Sequence, residues 1–396
     1  MSEFFNTRLG EAVEFIKNGT TATQLKIKSS KAVTRIETIA EGKVNLGKVG
    51  FVGDAEDIER YRLITGDILF SHINSIKHIG KTALIRGSEE IYNGMNLLQI
   101  RPNTRETDPS FLHELLRSDN FRAEVRRSAK QAVNQASISI AQLQELEICL
   151  PPLSEQKKIA EILSGIDRAI EARKRTADKI TTTCRFVADE ILQQAKYTYG
   201  SIKIKDCANR LWQGINTAAD RVEYHERGVP ILQAKHITSG QIDSGGARFL
   251  CEGDYSRYSC RFQPSVGDIL FTNIGTIGKS AIVTTPSKFL VAWNIFLISP
   301  SDAIESEYLH CFMQVLDQQN YFHQHAAGNA TKFINKTLIS ELEVPLPPRE
   351  EQIKICARIK ALSRAAKCSQ DAASKHLELK TSLSVDLLSG RKRVSI

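Results

Sequence analysis

The hexapeptide GDILFS at Gly66–Ser71 returns as GDILFT at Gly267–Thr272, 201 positions later. Two further matches follow in the same order: IGKTALI from Ile79 with IGKSAIV from Ile277, then LPPLSEQKKIA from Leu150 with LPPREEQIKIC from Leu346. Weaker echoes keep pace, Ile39, Gly42 and Phe51 with Ile237, Gly240 and Phe249, and Glu145-Leu146-Glu147 with Glu341-Leu342-Glu343. The spacing drifts only from 201 to 196, as small loop insertions would make it. The chain is therefore one unit of about 195 residues written twice, not a solenoid of short repeats.

Each copy has two parts. The first holds short apolar or alternating runs such as YRLITGDILF, MNLLQI, VPILQA and FLVAWNIFLI, punctuated by Gly, Asn and Asp. This is strand-and-turn chemistry, with helices expected around Pro109–Ser128 and Glu305–Gln319. The second part is one long helix. Leu163, Ile166, Ile170, Ala177, Ile180, Cys184, Val187 and Ile191 form a seam at steps of four and three, interrupted by Arg173. The later copy keeps Ile355, Ile359, Leu362, Ala366, Ala373, Leu383 and Leu387, diluted by Ser369, His376 and Lys380. The Pro-Pro pairs bar helix further upstream, and Ser154 or the acidic residues are expected to cap the first turn. A 40-residue helix spans about 60 Å, and two such helices with one seam each most simply pair.

The fold expected is α/β (α+β): two globular domains joined by two long antiparallel coiled-coil-like helices with a pseudo-two-fold repeat. The boundaries expected are 1–150 and 199–347 for the globules, 151–198 and 348–396 for the helices. With 41% hydrophobic and 25% charged residues the composition is that of a globular protein. No apolar run reaches the ~20 residues of a membrane span and the N-terminus has no signal-peptide pattern, so a cytoplasmic location and no membrane partner are expected. Eight cysteines without a C-x-x-C pair give neither a zinc site nor a disulfide framework, and read as buried reduced thiols. The net charge of +8 lies mostly in the final helical segment, which ends in Arg391-Lys392-Arg393.

Gly80-Lys81-Thr82 and Gly278-Lys279-Ser280 look like the end of a nucleotide-binding P-loop. That motif needs a glycine five positions before the second one, and Ser75 and Asn273 stand there. The following TALI and SAIV read as strands where a P-loop opens a helix. No N-P-P-[FY] tetrapeptide supports a methyltransferase. His323-Gln324-His325 lacks further ligands and reads as surface histidines, so no metal is expected; Asp67 and Asp268 read as turn formers.

Between these strands the two copies differ most: SHINSIKHIGK against TNIGTIGK. A shared frame with different contents suits two readers of different sequences. Candidate DNA contacts are Ser71, His72, Asn74, Lys77, His78 and Lys81 in one copy and Thr272, Asn273, Thr276 and Lys279 in the other. Asn suits adenine, Ser and Thr suit bases or phosphates, and lysine suits phosphate. Adjacent candidates are Arg86, Asn93, Gln135, Gln233, Lys235, His236 and Lys332, with a basic face at Arg122, Arg126 and Lys130.

Two variable globules, two repeated helices, GDILF…IGK, the pre-helix segment AVNQASIS and LPPxxEQ at each helix start resemble the specificity subunit of a type I restriction-modification enzyme, over essentially the whole chain. The resemblance implies a non-catalytic reader of double-stranded DNA with two target recognition domains for a bipartite, asymmetric target. It implies two modification subunits that bind S-adenosylmethionine and methylate adenine N6, the selected adenine being delivered by base flipping. It also implies restriction subunits that use ATP and magnesium, this chain itself holding no cofactor. Glu155, Gln156, Ile159, Glu351, Gln352 and Ile355 at the helix starts are the candidate partner contacts. Alternatives are a DNA-binding specificity protein of another defence or regulatory system, or a coiled-coil adaptor.

Overall fold

The structure is a computed structural model that describes residues 4–25, 27–87, 90–133, 135–238 and 240–394. Asn134 of AVNQASIS and Ser88 and Glu89 beside Arg86 lie outside the described residues. The chain separates into two compact units, Met1–Arg173 with Ala373–Ile396, and Lys174–Ala372.

Each unit is built around the same four-stranded antiparallel sheet. In the first unit the order is Val13–Asn18, Leu97–Pro102, Ile68–Ser71, Thr82–Leu84; in the second it is Ala208–Gln213, Ile295–Pro300, Ile269–Thr272, Ser280–Ile282. The repeated ILF run sits at the centre because it is apolar on both faces. Ile68 and Phe70 pack with the helical residues Phe111, Leu112 and Leu116 on one face, while Leu69 packs with Ala83 and Leu97 on the other. The second unit repeats this, with Ile269 and Phe271 against Tyr308, Leu309 and Phe312, and Leu270 with Ala281 and Leu297. Period-two alternation thus feeds two clusters from one strand.

TALI and SAIV are strands, as expected. Gly80 and Gly278 adopt left-handed backbone, φ +77° and +86°; their N–H groups donate to the carbonyls of Ser71 and Thr272, whose own N–H groups donate to the carbonyls of Lys81 and Lys279. The IGK tripeptide is therefore the turn that starts the returning strand. A side chain there would also collide, an added Cβ at Gly278 lying 2.8 Å from Asp317 Oδ1.

The helix expected at Pro109–Ser128 is two, Pro109–Arg117 and Asp119–Ser128. Ser118 breaks it: its backbone is extended (ψ 150°) and its hydroxyl caps Phe121 N–H. The other expected helix is Ser306–Gln318. The long helices are Leu153–Tyr199 and Arg349–Leu388. Ser154 is inside the first turn rather than a cap, and Pro152 instead accepts the N–H groups of Glu155 and Gln156.

Within each unit the two long helices pair antiparallel. In the first unit, Asp167 meets Lys380 at 2.6 Å and Glu155 meets Arg393 at 2.6 Å, one number rising as the other falls. In the second, Gln370 donates to Thr181 at 3.1 Å while Leu192 and Ile355 share a core cluster. Lys380, expected to dilute the seam, is buried and bonded to Glu114 and Asp167. All eight cysteines are free; Cys207, Cys311 and Cys356 are buried, but Cys251, Cys260 and Cys368 are exposed, contrary to a uniformly buried set. Among the described residues no helix is long and apolar enough to cross a membrane.

Candidate nucleic-acid interface

The variable loops leave the sheet at one place in each unit, the C-terminal end of the ILF strand. In the first unit the loop forms a short strand, Ile73–Asn74, which joins Gln135–Ser137 and Lys130–Ala132 in a three-stranded ribbon. In the second, Ile274 bridges to Phe333 and Gly275 N–H reaches the Lys332 carbonyl. Ile79 and Ile277, both fully buried, anchor the far side of each loop. The frames match residue for residue: Ile138 N–H donates to the His72 carbonyl as Ile334 N–H donates to that of Asn273.

The exposed candidates are Lys77, His78, Arg86 and Gln135 in the first unit and Lys235, Thr276 and Lys332 in the second. Asn74 and Gln233 are half-buried. Asn74 Nδ2 donates to Ser71 Oγ at 3.1 Å, and Gln233 N–H donates to His236 Nδ1 at 2.8 Å. Of the basic face, Arg122 and Arg126 are half-buried and Lys130 is exposed.

Other candidates have partners within the chain. Lys81 Nζ donates to the Ala40 carbonyl at 2.7 Å, and Lys279 Nζ pairs with Asp317 at 2.8 Å, so both ammoniums fasten the turn to its own unit. Ser71, Asn93, His236 and Thr272 are buried. Asn93 holds a tight turn, its Nδ2 donating to the Leu97 carbonyl and its Oδ1 accepting from Thr34. Thr272 Oγ1 accepts Lys279 N–H at 2.9 Å. Burial holds the His236 imidazole below its ordinary pKa.

Two candidates differ from these. His72 Nδ1 and Asn273 Oδ1, at equivalent positions, are buried atoms without a hydrogen-bond partner. Burial pushes the His72 pKa down.

The residues at the helix starts are likewise internal. Gln156 Oε1 accepts Asp108 N–H at 2.9 Å while Nε2 donates to the carbonyls of Glu106 and Pro151, both at 2.9 Å. Gln352 repeats this with Glu305 N–H at 2.8 Å and the carbonyls of Pro347 (2.9 Å) and Ala303 (3.4 Å). Ile159 and Ile355 are core residues. Glu155 is buried under a two-pronged bond from Arg393, which lowers its pKa despite burial. Only Glu351 is partly open, 3.3 Å from Lys354. The LPPxxEQ motif is a clasp between helix and globule. The basic tail is also spoken for, Arg391 and Lys392 both facing Asp386.

Asp67 and Asp268 are turn formers, accepting the N–H of Ile64 and Ser265. Both are buried and each also carries an arginine, Arg101 at 2.7 Å and Arg210 at 2.7 Å. His323 and His325 are exposed, His325 stacking on Tyr321. Among the described residues no His, Cys, Asp or Glu cluster is arranged to hold a metal.

Sequence reasoning missed the residues that flank the loop across the sheet end. Asn18 and Gln213 lie opposite Leu98 and Phe296 in matching strand positions and are exposed. Met95 and Trp293, just before the adjacent strand, are exposed at 52% and 42%. The signal was in the repeat, since NGMNLL and VAWNIF align, but exposed apolar side chains read as core.

The family model described as type I restriction modification DNA specificity domain matches residues 1–182 and 216–377. A protein of Methanocaldococcus jannaschii assigned as the specificity subunit of type I restriction enzyme MjaX is 32% identical over 415 aligned positions, covering 98% of this chain and 93% of its own length. A chain solved in work on complex assembly and conformational transition of the type I R-M system superposes with a TM-score of 0.67 at 16% identity, over 97% of both chains. The HsdS subunit from Thermoanaerobacter tengcongensis gives 0.52 at 17%, over 98% and 97%.

Proposed function

We propose a specific mode of action for this chain, which belongs to the type I restriction-modification DNA specificity family and is the non-catalytic, DNA-recognising component of such an enzyme. Each unit reads one half of a split, asymmetric duplex target through the loops at its sheet end. The observation that carries this is the pair of matched frames with unmatched contents: the same backbone bond holds His72 and Asn273, but SHINSIKH in one unit takes the place that TNIGT has in the other. A shared scaffold with separate contents gives each half its own base preference.

The recognition domains are residues 1–150 and 199–347, and the helices 151–198 and 348–396 are the spacers. Lys77, His78, Arg86 and Gln135, and Thr276, Lys235 and Lys332, supply phosphate and base contacts from exposed positions. Partner modification subunits bind S-adenosylmethionine and methylate adenine N6 at the selected site; restriction subunits supply ATP- and magnesium-dependent cleavage. This chain adds target choice and orientation of the duplex, and those cofactors stay with the partners.

Single-molecule sequencing of methylated bases in a host expressing this chain with its modification subunit tests the reading. A split methyladenine motif is expected. Absence of any methylated motif from an assembled, DNA-binding complex overturns it. Replacing residues 1–150 by the same segment of another family member is expected to change one half of the motif only.

A further inference from the structure

We propose that Met95 and Trp293 are the stacking side chains that the two units set against a base step of their respective half-targets. The inference rests on the function proposed above and names the residues that execute part of it.

Single exposed apolar side chains are ordinary on protein surfaces. What distinguishes these two is recurrence. Met95 precedes strand Leu97–Pro102 by two residues, and Trp293 precedes Ile295–Pro300 by two. An asparagine follows each, Asn96 and Asn294. Both side chains are large and open to solvent, 52% and 42%, in a stretch whose identity otherwise differs between the copies.

The backbone beneath each is fixed. Trp293 N–H donates to the Ile215 carbonyl at 2.8 Å, and its carbonyl accepts Gln213 Nε2 at 2.7 Å. In the first unit the turn is pinned by Asn93 Nδ2 on the Leu97 carbonyl at 3.1 Å and by Gly94 N–H on Thr34 Oγ1 at 2.9 Å. Gly94 has no room for a side chain, an added Cβ falling 2.0 Å from the Thr34 carbonyl oxygen. A flat or slender apolar group on a rigid turn inserts with little ordering cost.

The neighbours fit nucleic acid. Asn273 lies between the two flanks of the loop, donating its N–H to the Asn294 carbonyl and accepting Ile334 N–H. The turn carrying Trp293 is therefore next to the segment carrying Lys332 and Phe333, the latter 39% exposed. Gln213, Thr276 and Lys332 are exposed around it, and Asn273 Oδ1 is a buried acceptor without a partner. The first unit places exposed Asn18 opposite Leu98, Gln135 and Lys130 on the adjoining ribbon, and the unpartnered His72 Nδ1 at the matching site. Hydrogen-bonding and cationic side chains around an apolar centre suit a base step bounded by phosphates. Methionine serves proteins that wedge into a step, and an indole stacks on any base face. A protein partner docking on the same residues is the competing occupant, and the experiment separates it.

The full chain is co-expressed with its modification subunit in a host free of adenine methylation, and the methylated motif is mapped for the parent and for M95A, W293A and W293F. M95A is expected to weaken or relax one half of the motif and W293A the other, with occupancy down about tenfold; W293F, which keeps a ring, stays near the parent. In a W212F background the remaining indole is Trp293, since the chain has two tryptophans. Its fluorescence is expected to quench on the mapped duplex, while anisotropy of the labelled duplex reports binding. Unchanged motifs in both alanine variants, or no quenching in a complex that anisotropy shows to be bound, overturn the proposal alone. So does a uniform fall in methylation accompanied by poor assembly with the modification subunit, which would assign the patch to protein docking. A parent that assembles and binds the duplex but yields no methylated motif overturns instead the function on which it rests.

Discussion

Lys380 Nζ lies 2.6 Å from Asp167 Oδ2 and ties the two long helices together inside the first unit. The contact belongs to a four-member alternating network: Lys380 also meets Glu114 at 3.4 Å, and Arg117 meets Glu114 at 3.0 Å and Asp167 at 3.1 Å. Burial by itself would raise the pKa of Asp167, but Lys380 and Arg117 outweigh it and hold the carboxyl below its ordinary range. Stranding one partner of a buried pair costs about 3–5 kcal/mol, but Arg117 stays with both acids and Asp167 is partly exposed, so the loss here is smaller. Lys380→Met is expected to destabilise the first unit by about 1–2 kcal/mol, read as a lower midpoint for its denaturant transition. A change below ~0.5 kcal/mol would mean that the network is solvated.

The aspartates of the two GDILF turns are neutralised from different strands. Arg101 stands opposite Phe15, and Arg210 stands opposite Ser299; Ser299 Oγ accepts a bond from Arg210 Nε at 2.7 Å. The arginine has thus crossed to the neighbouring strand while the buried acid stayed. Arg101→Ser is expected to cost about 3 kcal/mol by stranding Asp67. Adding Phe15→Arg copies the arrangement of the second unit and is expected to recover a good part of that loss in the same denaturation measurement.

Gln156 and Gln352 each satisfy a backbone N–H and two carbonyls at a helix start. Alanine at either position leaves buried backbone groups unpaired, at about 1–3 kcal/mol each. The two sites share no bonding partner, so the effects are expected to add in the double variant, checked by thermal or denaturant unfolding.

Burial pushes the His113 imidazole down to about 3, reinforced by the nearby positive charges of Arg117 and Arg86. The unfolded chain binds this proton near pH 6.5, the folded one only near pH 3. Stability contributed by the neutral ring is therefore complete above about pH 6.5 and falls as pH drops toward 3, by about 2 kcal/mol at pH 5. His113→Gln has no proton to take up and is expected to flatten the stability profile between pH 7 and 5. A parallel slope in parent and variant would assign the acid sensitivity elsewhere.

The repeat, the strand-turn-strand frame and the long helices were legible because local patterns fix them. Two-fold periodicity places ILF in a sheet and a four-three seam makes a helix, whatever lies far away. The candidate site was legible only as a region. Nothing in the sequence near Lys81 shows that the Ala40 carbonyl, 41 positions away, accepts from its ammonium. Lys279 and Asp317 make the same point. Thr272, Asn93 and His236 are polar residues at turns, which suggests exposure, yet each satisfies backbone groups beneath the surface. The opposite error hid Met95 and Trp293, because composition cannot tell an apolar side chain turned outward from one turned in. The Glu-Gln pairs of LPPxxEQ recur, but recurrence alone does not show that Gln156 and Gln352 close a joint between helix and globule in each copy.

Residues from Ala373 onward fold with the beginning of the chain, not with the segment that precedes them. The consequence is one of inheritance. A gene fragment encoding residues 1–150 would carry Glu114 without Lys380. A segment transferred without an acid at that position would leave the recipient's Lys380 short of one of its two partners. The sequence repeat and the compact units are cut at different places in this chain, so a fragment that follows the repeat would leave behind a lysine that its own acid pairs with.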